Sequence, residues 1–170
     1  MPPFGAASVQ MARDAGPTAA PLLLAEVEAE GSASFLALEA LRAADEHSWE
    51  SVAPGMRAHI YAEALRRNVF FNAWGLPGYQ LSDTSAAFAS LGGAAVAALL
   101  PLLDDRREAP LSGSQDATTS KSYGNRVCDY AWILACDALR RRCIYFRDPR
   151  ERDVAIAAMR SELSPESHTR

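Results

Sequence analysis

At 170 residues, the chain is long enough for one ordinary domain or slightly more, and its 49% apolar content excludes intrinsic disorder. A formal net charge of −4, with Lys121 the one lysine among seventeen basic residues, leaves no basic footprint for nucleic acid. No run of eighteen apolar residues spans a membrane, and the opening MPPFGAASVQMARDAG lacks the charged-then-apolar layout of a signal peptide, so a cytoplasmic protein is expected.

Residues 1–19 carry Pro, Gly, Ala and Ser without a period and read as a flexible N-terminal tail. A single helical domain is expected over 20–163, with a second flexible tail over 164–170. PLLLAEVEAE opens the domain as a short helix from Pro21 to Glu30, with proline in its first turn and Gly31 stopping it. Ser32 or Ser34 then caps a helix through Ala44, with Phe35, Leu36, Leu38 and Leu41 on its apolar side. A third helix is expected from Pro54 to Asn68, with Met56, Ile60, Ala64 and Leu65 inside and Arg57, Glu63, Arg66 and Arg67 outside.

The aromatic stretch VFFNAWGLPGYQLSD reads as a loop folded back over the core, plugged by Phe70, Phe71 and Trp74, because so apolar a loop is costly to leave in water. Asp83 caps a helix from Thr84 to Leu91. Gly92-Gly93 turns the chain into AAVAALLPLL, which Pro101 is expected to kink or shorten. Residues 104–123 are polar and turn-rich, either a functional loop or partly helical. The segment from Asn125 to Arg142 is the strongest helix of the chain. Val127, Tyr130, Ala131, Leu134 and Ala138 form one apolar stripe and Cys128, Trp132, Cys136 and Leu139 a second, leaving Arg126, Asp129, Asp137, Arg140 and Arg141 for solvent. The last helix runs from Pro149 to Leu163, capped by Asp148, with Val154, Ile156, Ala157 and Met159 turned inward. No segment alternates apolar and polar residues over a strand length, so the fold class is all-α: about six or seven helices in stacked antiparallel hairpins.

The stretch from Leu91-Gly92-Gly93 through Ala95-Val96, Leu99-Leu100 and Asp104-Asp105 resembles the turn and second helix of a HEAT-type α-helical repeat. The resemblance covers about twenty residues and departs from the pattern: Ala97 stands where proline is common, Pro101 is displaced, and no second copy is visible. It implies HEAT-like hairpins and a scaffold or protein-binding role.

Chemical signals are sparse. Cys128, Cys136 and Cys143 sit at helical spacing, eight and seven apart, without the close pairs of a metal site, and read as reduced, buried thiols. His59 and Glu63 lie one turn apart but outside any His-Glu-x-x-His motif. His47 sits with Trp49 and Glu50 at a helix junction. No cofactor or metal is expected. Between Lys121 and Arg152 lie eight basic and four acidic residues, which could face a phosphate or an acidic partner or serve a helix C-terminus.

Two functions stand open. One is a non-catalytic interaction module that binds a protein partner, with Trp74, Tyr79, Asp116, Lys121, Tyr123 and Arg126 as candidate contacts. The other is a small enzyme or ligand binder using the polar loop 104–123 near His59 or Tyr123.

Overall fold

A computed structural model describes residues 6–31, 33–67, 73–109 and 121–164, and in them the chain is all-α, with nine α-helices and one two-stranded hairpin. It forms two compact units, Met1–Ala64 and Leu65–Arg170.

The first unit begins with α1 (Ala6–Ala15), a 3-10 turn (Gly16–Ala19) and α2 (Ala20–Glu28). The helix α1 corrects the expected tail. Its AASVQMARDA composition is rich in helix formers, and α1 packs against α3 (Ser34–Ala44). The chain leaves α2 through Glu30 at φ 47°, and the Ser34 hydroxyl ties the next helix back by donating to the Glu26 carbonyl at 3.1 Å.

A short helix α4 (Glu46–Ser51) precedes α5 (Pro54–Arg66). On α5, Ile60, Tyr61, Ala64 and Leu65 are buried as the spacing suggests. Arg57 is a correction: expected outside, it is 8% exposed, and its guanidinium lies 4.0 Å over the Trp49 ring. Stacking on an indole lets a cation cover apolar surface. Tyr61 packs edge-on to Phe35 and donates to Glu39 at 2.7 Å, while Arg42 holds the same carboxylate through two of its nitrogens.

The second unit opens on a hairpin, β1 (Gly75–Leu76) and β2 (Gln80–Leu81), antiparallel with Gly75 opposite Leu81. Leu76-Pro77-Gly78-Tyr79 makes its turn. Proline precedes a glycine at φ 76°, and the Tyr79 amide donates to the Leu76 carbonyl at 3.2 Å, the chemistry of a type II turn. Phe70 and Phe71 lie outside the described residues. Ser82, not Asp83, caps α6 (Asp83–Ala89), its Oγ accepting from the Ser85 amide.

After Gly92 at φ 56°, α7 (Gly93–Leu99) follows, and it continues as a 3-10 turn (Leu100–Asp104) where Pro101 withholds its backbone donor. The chain bends by 104° between α6 and the α7 segment. No single helix among the described residues is long and apolar enough to cross a membrane.

The core of this unit is α8 (Val127–Ala138), on which every residue from Val127 to Cys136 is buried. Helices α6, α7 and α9 (Pro149–Leu163) and the 3-10 turn pack around it. Its first amides are satisfied by a strap of chain: Val127 donates to the Arg107 carbonyl and Cys128 to that of Asp105, at 3.0 and 2.8 Å. Helix α9 is capped by Asp148 as expected. It buries Ile156 and Met159, but Val154 is 72% exposed and Ala157 also faces out, where both were expected inside.

Candidate functional site

Three expectations fail together at the centre of the second unit. Asp129, assigned to solvent, is fully buried at position N3 of α8. Its Oδ2 accepts from the Arg126 amide at 2.8 Å, and its Oδ1 from the Arg126 guanidinium at 2.9 Å. Arg152, counted among cations that could face a partner, is equally buried, its Nε 3.2 Å from Asp129 Oδ1. Arg126, a candidate contact, bridges Asp129 to Asp153, which Arg106 also grips at 2.7 Å. Burial works against the Asp153 charge, yet hydrogen bonds from Arg106 and Arg126 outweigh it and hold the carboxyl below its usual range.

The remaining donors of Arg152 staple loops. They reach the Tyr123 and Gly124 carbonyls at 2.8 and 3.1 Å, the Phe146 carbonyl at 3.3 Å and the Tyr145 hydroxyl at 3.2 Å. That hydroxyl donates in turn to Asn125 Oδ1 at 2.6 Å, and burial pushes its pKa well up. The Tyr145 ring stacks on Trp132 and neighbours Tyr123 at 6.1 Å. A buried pair of this kind fixes the geometry of its neighbours and is a weak source of net stability.

The staple presents a surface. Tyr123, Asn125 and Tyr145, with the hairpin residues Leu76–Tyr79, line a pocket of about 60 Å³, room for more than one water-sized group. On the other side of Tyr79 lies a groove of about 240 Å³, walled by Leu81, Ile133, Asp137, Arg141, Arg142 and the Cys136–Cys143 disulfide. Ligand pockets usually span about 300–1,000 Å³, so this groove fits one inserted side chain better than a whole small molecule. Tyr79 stands between the two at 84% exposure. Arg141 is shared with Glu162 at 2.6 Å. Arg142 is exposed.

The disulfide corrects the reading of three reduced thiols. Helix α8 stops at Ala138, and Arg140 takes φ 54°, so Cys143 folds back to a Cα–Cα distance of 6.1 Å from Cys136. Cys128 alone is a thiol, buried, and burial raises its pKa to about 11.

Of the candidate contacts, Tyr79 and Tyr123 meet at the small pocket. Lys121 is exposed but lines neither cavity. Trp74 is a correction: it has no exposed surface and packs against Phe88 at 6.2 Å, so it plugs the core and offers nothing to a partner. Asp116 lies outside the described residues, as does most of the loop 104–123. Among the described residues no three metal-type side chains converge, and His59 is exposed on α5.

Sequence reasoning missed Asp129–Arg152 and the disulfide. Asp129 had a local signal, since a carboxylate three residues after Arg126 suits a capping box.

The chain matches no protein-family model, no curated protein and no solved structure.

Proposed function

We propose that this chain is a non-catalytic helical interaction module, HEAT-like in using packed helices as a scaffold, which binds an acidic segment of a protein partner in the groove beside Tyr79. The carrying observation is the groove itself, whose lining joins the apolar Leu81 and Ile133 to the exposed Tyr79 and to Arg141 and Arg142. Exposed tyrosine beside arginine is the composition of binding hot spots. The segment from Arg140 to Arg152 carries six arginines against Asp148 and Glu151, and only Arg152 of the six is buried, so this edge is positive on a chain of net charge −4.

The test is fluorescence anisotropy with a labelled oligoglutamate peptide carrying one central leucine. Binding is expected to weaken about ten-fold in Arg142→Glu and in Tyr79→Ala, and to weaken with salt. Equal affinity in wild type and both variants sinks the proposal.

A further inference from the structure

We infer that the Cys136–Cys143 disulfide is a redox latch on this groove: a dithiol reductant opens it, releases Arg141 and Arg142 from the groove wall and weakens capture of the acidic segment, a reading that rests on the groove being the binding surface. The disulfide is part of the wall it controls, and the two arginines sit inside the loop it closes.

The segment after α8 has no regular structure from Arg141 to Arg147 and is held at few places. At its far end Tyr145 and Phe146 stack on Trp132, and Tyr145 is hydrogen-bonded to Asn125 and Arg152. At its near end the Arg141 amide donates to the Cys136 carbonyl and the Arg141 side chain pairs with Glu162 in solvent. Surface pairs of that kind hold weakly, so the disulfide is the firm near anchor. Opening it leaves the aromatic anchor and the Arg152 staple in place. The loosening is therefore confined to the stretch that carries Arg141 and Arg142, which must then be ordered again at each binding event.

The chemistry is ordinary exchange. Cys143 is half-buried while Cys136 is 2% exposed, so the reductant's thiolate attacks the Cys143 sulfur. The sulfur–sulfur bond breaks, a mixed disulfide forms, and the Cys136 sulfur leaves with the electron pair and takes a proton. The reductant's second thiolate then attacks its own mixed sulfur. Cys143 is released as a thiolate and protonated, and the reductant departs as a cyclic disulfide. Two electrons and two protons have passed to the protein. Cys128 takes no part: it is buried, and its thiol is protonated at neutral pH.

The experiment uses the full chain, oxidised and after dithiothreitol, with the oligoglutamate-leucine peptide as probe. After reduction, iodoacetamide under native conditions is expected to modify Cys143 and spare Cys128. Amide exchange is expected to rise over residues 140–144 and stay unchanged within α8, and peptide affinity to fall about ten-fold. A Cys136→Ser, Cys143→Ser double variant with unchanged helical circular dichroism should bind as the reduced chain does and ignore dithiothreitol. Alkylation of Cys143 without reductant overturns the latch. So does equal affinity in both redox states where binding remains sensitive to Arg142→Glu, an outcome that leaves the groove standing. Absence of binding in either state overturns groove and latch together.

Discussion

Asp129 and Arg152 form an ion pair in which neither side chain has any exposed surface, 3.2 Å from Oδ1 to Nε, on two helices that the sequence separates by a loop and a turn. Asp129→Ala strands the Arg152 charge in a dry environment, at a cost of about 3–5 kcal/mol. It is therefore expected to be severely destabilising. Arg152→Ala leaves Asp129 to Arg126 but abandons the Tyr123, Gly124 and Phe146 carbonyls, and should also be destabilising. The double variant should cost less than the sum by about 1–3 kcal/mol. Urea melts of the three variants check this, and strict additivity would contradict the pairing.

Gly78 is the residue the hairpin can least replace. It sits at φ 76°, and a Cβ there would overlap the Cβ and ring carbons of Tyr145. Gly78→Ala combines left-handed strain with a clash that Tyr145 cannot relieve, since its hydroxyl is tied to Asn125 and Arg152. The expected loss is about 2 kcal/mol. Gly93, with nothing near its missing side chain and an ordinary helical backbone, is the control, and Gly93→Ala should be tolerated. Thermal melts distinguish the two.

Acid should attack the carboxylates that arginines hold down. Hydrogen bonds from Arg106 and Arg126 keep Asp153 low against its burial, a hydrogen bond from Arg107 lowers Asp105, and one from Arg141 lowers Glu162. A depressed folded-state pKa contributes stability that is present above the unfolded value, 3.8 for the aspartates, and lost as pH falls through the folded one. Stability should thus be flat near neutrality and decline below about pH 4. Asp153→Asn should flatten part of that decline, measurable as a shallower fall of the urea midpoint.

Alkali should act on phenols. Burial is the chief cause raising both Tyr61 and Tyr145, with the Glu39 carboxylate adding to it for Tyr61 and Asp129 for Tyr145. A raised folded-state pKa contributes stability fully present below the ordinary tyrosine value of 10.0 and lost as pH rises through the folded pKa. Absorbance titration should show Tyr61 and Tyr145 ionising only as the chain unfolds. A single native transition for all tyrosines would contradict this.

What could be read from the sequence was local. Asp148-Pro149 announces α9 because a cap and a first-turn proline act within four residues. Pro101 cuts α7 short because a missing donor acts on its own turn. Side-chain placement was harder. Val154 is exposed because the face of α9 that meets the rest of its unit is the one carrying Arg152, Ile156 and Met159, and hydrophobicity alone does not rank faces. Asp129 was sent to solvent for its charge, when its partner lay on another helix. Reading α8 as continuous to Arg142 hid the disulfide. Seven residues of unbroken helix separate two Cα atoms by about 10 Å, too far to bridge, and only the turn at Arg140 brings them within reach.

The strap along the start of α8 carries one more implication. Glu108 bridges Arg126, and the Ala109 amide donates to the Asn125 carbonyl, so the strap through Ala109 is clasped to the start of α8. Cutting the strap would therefore leave the Val127 and Cys128 amides without their acceptors at the first turn of α8.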